Sequence, residues 1–147
     1  MYCVNCNHEE TKVIDSRESG EGVAIRRRRE CTSCGFRFST YEEMEILDLT
    51  VTKRSGIREL YSRDKLDRGI RRAFEKRPIS DENFRKLMSQ IEQEIQKTAD
   101  PEIKSEQIGD IVMKKIKKVD KVAYVRFASV YKQFEDIEEF KQELQKL

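Results

Sequence analysis

The sequence has no long apolar run. Nowhere do its 147 residues approach the ~18 consecutive apolar residues that a membrane-spanning helix needs. It also lacks the basic start and apolar stretch of a signal peptide, since it opens Met1-Tyr2-Cys3-Val4-Asn5-Cys6. The expected location is therefore the cytoplasm, with no membrane partner. A charge excess of one sign is missing too: 30 basic and 28 acidic residues leave +2 and a pI near 8.3. The global balance thus lacks the strongly basic signature, a pI above ~9, of a nucleic-acid-binding domain. No cysteine occurs in the 113 residues after Cys34, and there is a single histidine, His8. No Gly-x-x-x-x-Gly-Lys pattern, open zinc site or obvious carboxylate pair suggests catalysis. The chain is expected not to be an enzyme.

What is present is charge, at 39% of residues against a typical ~25%, and four clustered cysteines. Cys3-x-x-Cys6 and Cys31-x-x-Cys34 form two knuckles separated by 24 residues. A two-residue spacing lets one tight turn aim both sulfurs at one ion, and structural zinc takes four tetrahedral ligands. Asn7 and Gly35 follow the knuckles as turn-formers. In a cytosolic chain this pattern favours metal over disulfides. Cys3, Cys6, Cys31 and Cys34 are thus expected to hold one zinc per chain. Four ligands fill the ion and argue for a structural role. His8 reads as a surface residue.

The knuckled segment needs such a staple. Its larger apolar residues (Val13, Ile14, Val23, Ile25, Phe36, Phe38 and Tyr41) are scattered, and a unit this small seldom folds on its core alone. Between the knuckles lies Arg26-Arg27-Arg28-Arg29, inside an expected strand that would turn the arginines to alternate faces. One face can meet phosphates and the other acidic or base-edge partners. Residues 11 to 40 hold seven basic and four acidic residues, a local excess hidden in the global sum. A charge run is usually a solvated face. Four arginines on a small stapled sheet instead favour DNA, because guanidinium forks bind phosphate and guanine edges bidentately. Lys12, Arg17 and Arg37 on neighbouring segments join Arg26 to Arg29 as expected DNA contacts.

From residue 49 the pattern changes. Leu49 to Lys53 alternates as a strand does, Ser55-Gly56 signals a turn, and Ile57 to Tyr61 can return as its partner. Ser62, Ser80, Ser105 and Asp120 are placed to start helices, and Pro78 and Pro101 to break them. Apolar stripes at helical spacing follow: Leu66, Ile70, Ala73 and Phe74; then Phe84, Leu87, Met88, Ile91 and Ile95; then Ile108, Ile111, Val112 and Ile116. The stretch from Val122 to Phe134 is apolar nearly all round, with Arg126 embedded, and reads as a central core helix. Asp136 with Glu139 resembles a capping box for a last helix carrying Ile137, Phe140 and Leu144. Lys53, Arg54, Arg58 and Lys65 surround the hairpin. From spacing alone, a phosphate-facing cluster and an ordinary hairpin with charged edges fit equally well.

The whole chain resembles the NrdR family of bacterial transcriptional repressors, regulators of ribonucleotide reductase genes. The resemblance rests on Cys3-x-x-Cys6, Thr11 to Arg17, Ile25 to Cys31, Phe38 to Glu42, Glu75-Lys76-Arg77-Pro78 and Val122 to Asp136. Val4 and Leu60-Tyr61 depart from the proline and the Pro-Phe that the family often has there, and both suit β structure.

The resemblance implies an α+β chain in three parts. A β zinc ribbon binding DNA occupies 1–46. A mainly helical ATP cone with a short hairpin or three-stranded lid occupies 49–139, and a helix end 140–147. It implies ATP and dATP as effectors, with magnesium an allowed companion. Val51, Lys53, Arg54, Glu59 and Lys65 would line the nucleotide site, with Tyr131 nearby. It also implies double-stranded operator DNA as partner, and a homo-oligomer whose size follows the bound nucleotide. A protein-binding regulatory module of a reductase is the other class to weigh, and the arginine run speaks against it.

Overall fold

The computed structural model describes residues 1–20, 22–45, 48–99 and 101–147. The chain divides into two compact units, Met1–Glu45 and Ile46–Leu147. The expected ribbon boundary at residue 46 lies outside the described residues. The fold is mixed α+β, with the strands of the first unit ahead of a mainly helical second unit.

The first unit is one antiparallel sheet of β1 (Thr11–Ser19), β2 (Ala24–Cys31) and β3 (Arg37–Glu43), in the order β1-β2-β3. The register shifts between Val13 and Asp15, leaving Ile14 as the extra residue of a bulge. Among its described residues the buried hydrophobic side chains are Cys3, Ala24 and Cys31. Two of these three are knuckle cysteines, so almost nothing apolar holds this sheet besides the cysteine end.

The second unit begins with β4 (Thr50–Thr52) and β5 (Arg58–Leu60), antiparallel, with Val51 opposite Glu59. Gly56 turns the hairpin at a φ of 83°, where a side chain would be strained. A third strand, β6 (Glu102–Lys104), pairs parallel to β4 and gives the order β5-β4-β6. Local pattern did not reveal β6. Three residues carry no usable periodicity, and Ile103 becomes buried only by lying beside Val51.

The helices are α1 (Arg63–Ala73), α2 (Asp81–Thr98), α3 (Ser105–Val119), α4 (Lys121–Tyr131) and α5 (Ile137–Leu144). Ser62, Ser80, Asp120 and Asp136 each accept a hydrogen bond from a backbone amide three residues on. The third helix begins at Ser105, as expected; Lys104 holds its N-cap position, and the Gln107 side chain accepts from the Lys104 amide at 3.0 Å.

The core of this unit centres on Ile70, Phe84, Met88, Ile91, Ile95, Ile103, Val112 and Ile116, with Ala123, Tyr124 and Ala128 of α4. The buried rings of Phe74 and Phe84 form a T-shaped pair with centroids 6.2 Å apart.

Three expectations are corrected. The first helix stops at Ala73, well before Pro78. Lys76 takes a φ of 59°, and the Arg126 guanidinium donates to the carbonyls of Ala73 and Glu75. A cation at a helix C-terminus satisfies its orphan carbonyls, which explains the arginine embedded in α4. α4 itself ends at Tyr131, before Gln133 at a φ of 50°, and is not buried all round: Val122 and Val130 are exposed. In α5 the buried residue is Glu143, while Ile137 and Leu144 are exposed and Phe140 packs on Phe134 at 5.3 Å. Glu143 is tolerated inside because Lys132 and Lys146 each donate to it at 2.8 Å and the Tyr124 hydroxyl donates to its other oxygen. No described helix is long and apolar enough to cross a membrane.

Candidate functional site

The two knuckles adopt the same backbone. The Asn7 amide donates to the Cys3 carbonyl at 2.9 Å and the Cys3 amide to the His8 carbonyl at 2.8 Å. The Gly35 amide donates to the Cys31 carbonyl at 3.1 Å and the Cys31 amide to the Phe36 carbonyl at 3.0 Å. Both turns need a left-handed residue, supplied by Asn7 at a φ of 58° and Gly35 at 69°. These turns bring Cys3, Cys6, Cys31 and Cys34 together, with all four sulfurs within 4.8 Å of one another. Cys3 lies 3.7 Å from Cys34, and Cys6 lies 3.7 Å from Cys31.

Those spacings discriminate. A disulfide would need about 2.05 Å. A tetrahedral tetrathiolate with bonds of ~2.3 Å places its sulfurs about 3.8 Å apart. The amides of Ser33 and Cys34 point at the Cys31 sulfur, and that of Asn5 at the Cys3 sulfur, each at 3.4 Å. Such donors stabilise thiolate charge. The Asn5 side chain adds a longer contact to the Cys34 sulfur at 3.8 Å. Crowding also separates the thiols' ionisation. The Phe36 backbone hydrogen bond, helped by Cys6, holds Cys34 down at about 6. At Cys6 the His8 backbone hydrogen bond lowers the pKa, but the neighbouring thiols and burial outweigh it and push it up to about 12. A divalent cation removes this conflict, because it favours the thiolate at every position. The donor set supports zinc. His8 is exposed and outside the cluster.

The basic residues of the ribbon separate by face. Directly opposed residues of an antiparallel ladder share one face of the sheet. Arg28 stands opposite Asp15 and Ser39, Arg26 opposite Arg17 and Tyr41, and Glu30 opposite Lys12 and Arg37. Lys12, Arg17, Arg26, Arg28 and Arg37 therefore share a face. Glu30 on that face takes Lys12 at 2.9 Å and Arg37 at 2.7 Å, which holds its carboxyl below the usual range. Arg17 pairs with Asp15, and Arg26 donates to Ser39. Arg28 is exposed and has no side-chain partner among the described residues.

Arg27 and Arg29 occupy the opposite face. Arg27 donates from two nitrogens to Glu42, at 2.8 and 3.0 Å, and Arg29 donates to Thr40 at 3.2 Å. The run of four is thus two pairs in different settings.

In the second unit the sheet gathers most of the residues expected at a nucleotide. Val51 is buried in β4 and faces Glu59 across the ladder. Lys65 Nζ lies 3.0 Å, and Lys53 Nζ 3.1 Å, from the same Glu59 oxygen. These hydrogen bonds, Lys65 first, hold the Glu59 carboxyl below its usual range. Arg54 forms a neighbouring group with Tyr131. Its guanidinium lies 5.4 Å above the ring centre and donates to the Tyr131 carbonyl at 3.4 Å. Arg54 Nε also reaches Glu106 at 3.2 Å. Sequence reasoning missed Glu106, which stands 52 positions from Arg54 with no local signal linking them. Two clefts open beside Tyr131. One of about 690 Å³ includes Arg72, Lys76, Arg126 and Phe127, and one of about 490 Å³ includes Arg54, Glu106, Lys132 and Lys146.

Comparison with known proteins meets this geometry. Residues 1–42 match the model described as "Transcriptional repressor NrdR-like, N-terminal domain", and residues 49–137 match the ATP cone domain. A protein of Geobacillus sp. (strain WCH70) named Transcriptional repressor NrdR is 50% identical over 147 residues, covering 100% of this chain and 96% of its own length. The protein of that name from Oceanobacillus iheyensis is 51% identical over 144 residues, covering 98% and 92%. That from Listeria welshimeri is 49% identical, covering 100% and 96%. The relatives are named as regulators of transcription rather than as enzymes. On both domain models and on full-length identity, the chain belongs to the NrdR family of transcriptional repressors.

Proposed function

We propose that this chain is a zinc-dependent, nucleotide-sensing repressor that binds operator DNA upstream of ribonucleotide reductase genes, its assembly set by the bound nucleotide. Cys3, Cys6, Cys31 and Cys34 hold one zinc ion, which fixes the sheet. Residues 1–46 act as the DNA-binding ribbon and 49–139 as the sensor, with 140–147 closing the last helix. The shared face of Lys12, Arg17, Arg26, Arg28 and Arg37 meets the phosphate backbone. Arg27 and Arg29 complete the set from the other face.

In the sensor, Lys53, Arg54 and Lys65 take the triphosphate of ATP or dATP. Val51, Glu59 and Tyr131 take the base and sugar, with magnesium an allowed companion. The observation that carries this reading is that one chain joins a four-cysteine sheet with a five-cation face to an ATP cone, and that named repressors match it end to end. Control by assembly follows from energetics. A single ribbon offers few phosphate contacts, so occupancy of paired sites depends on linked copies. A nucleotide shifts that assembly only through unequal affinity for its states.

The test is a solution mass measurement of the zinc-loaded chain with ATP and then with dATP, read beside a gel shift on promoter DNA of a ribonucleotide reductase operon. A nucleotide-dependent change in mass accompanied by a change in DNA retention supports the proposal. An identical oligomer and identical retention under both nucleotides reject it.

A further inference from the structure

The helix α3 carries a glycine one turn after Glu106, in a position that propensity alone disfavours. Gly109 is buried, and its missing side chain is the space the Tyr131 ring fills. A Cβ built there would lie 2.0 Å from Tyr131 Cε2, 2.0 Å from its Cζ and 2.5 Å from its hydroxyl oxygen. The other helical glycine, Gly69, is unlike it: a Cβ there meets nothing within 4 Å.

The ring cannot yield cheaply at Gly109. Its hydroxyl donates to the Glu106 carbonyl at 2.5 Å, and its face stacks on Phe127 with centroids 5.9 Å apart. The Arg54 guanidinium also lies 5.4 Å from the ring centre, and the backbone carbonyl of Tyr131 accepts from the same guanidinium. Burial pushes the phenol's pKa up, with Asp110 adding to the effect, so the hydroxyl stays a donor. A ring displaced from α3 would swing toward one of the two clefts beside it. It would lose the Glu106 carbonyl and carry the stacking surface away from Arg54.

We propose that Gly109 is a positioning residue of the nucleotide site: it seats Tyr131 against α3, and the seated ring fixes Arg54 for the nucleotide. This rests on the reading that Arg54 and Tyr131 contact nucleotide. Gly109 acts on that site only through Tyr131. A methyl group there displaces the ring without touching the ligand.

The test is a double-mutant cycle on the full zinc-loaded chain, by calorimetric titration with ATP and with dATP and by urea unfolding. Gly109→Ala is expected to weaken ATP binding at least about tenfold, and Tyr131→Ala to do the same. The double variant is expected to bind no more weakly than Tyr131→Ala alone. It should also unfold at higher urea than Tyr131→Ala, because alanine favours the helix once the ring is gone. A purely structural glycine predicts additive losses in affinity. Wild-type affinity in Gly109→Ala, with Tyr131→Ala impaired, overturns the positioning role. Additive losses overturn it too. If Gly109→Ala fails to fold, the comparison of the double variant with Tyr131→Ala still decides. Wild-type affinity in both Tyr131→Ala and Arg54→Ala would instead reject the underlying nucleotide reading, and this proposal with it.

Discussion

Lys65 Nζ stands 3.0 Å from the Glu59 carboxylate, on the same oxygen that Lys53 approaches at 3.1 Å. Two cations from different elements, a strand end and the first turn of a helix, thus share one anion. On the proposed nucleotide reading, an entering triphosphate competes with Glu59 for both lysines.

Lys53→Ala and Lys65→Ala should therefore each weaken ATP binding about tenfold, or ~1.4 kcal/mol, in line with a lost charge-assisted hydrogen bond. Both deficits should shrink as salt is raised, because the ammonium groups are exposed and screened. Titration calorimetry at two ionic strengths reads this. Unchanged affinity in both variants would remove the lysines from the site.

Metal removal should affect one unit selectively. The sheet of the first unit buries only Cys3, Ala24 and Cys31 among its described hydrophobic residues. Stripping the metal with a chelator, or replacing Cys31 with serine, should unfold residues 1–45 and abolish DNA retention. The second unit, with its own core, should keep its cooperative unfolding transition. Metal analysis should find one zinc per chain in the parent protein. A chelated chain that still holds its sheet by amide exchange would contradict this.

The arginine pairs should behave differently. Arg28 has no side-chain partner among the described residues, so Arg28→Ala should reduce the salt slope of DNA binding by about one and leave the sheet as stable as before. Arg27 is held by Glu42 at 2.8 Å, so Arg27→Ala should change the slope less. Filter binding across a salt series measures both. Equal slopes for Arg28→Ala and the parent would place Arg28 off the DNA.

Glu143 supplies a pH-dependent term. Burial alone would raise its pKa, but hydrogen bonds from Lys132, Lys146 and Tyr124 outweigh burial and lower it from 4.5 to about 2. A depressed carboxyl stabilises the folded chain fully above its unfolded pKa, and that stability is lost as pH falls from about 4.5 toward about 2. Glu143→Ala leaves the buried Tyr124 hydroxyl without its acceptor and should cost about 2 kcal/mol at pH 7. It should also flatten the acid limb of stability. Urea unfolding at pH 7 and pH 3 tests this; a variant with the parent's acid profile would rule it out.

Much of the fold was legible locally, for reasons that are themselves local. A serine or aspartate before an apolar stripe caps a helix with its own side chain, and Ser62, Ser80, Asp120 and Asp136 do so here. The Cys-x-x-Cys spacing determined both knuckles because a single turn, closed by Asn7 or Gly35, sets the distance between sulfurs. The stripe from Phe84 to Ile95 determined the buried face of α2 by the helical period.

Tertiary structure decided what depends on partners far along the chain. β6 exists because β4 lies beside it, and Arg126 is used up on the carbonyls that end α1. The register of three strands gathered five cations on one face and turned Arg27 and Arg29 away from them. The near-equal counts of basic and acidic residues hid this arrangement, because composition averages over positions. Only packing placed Tyr131 in the space left by Gly109, since no local rule relates a helix-end tyrosine to a glycine 22 residues earlier. The sequence by itself determined the metal knuckles and the helices. Long-range contact decided which side chains face one another, and that is where the electrostatics of both sites is set.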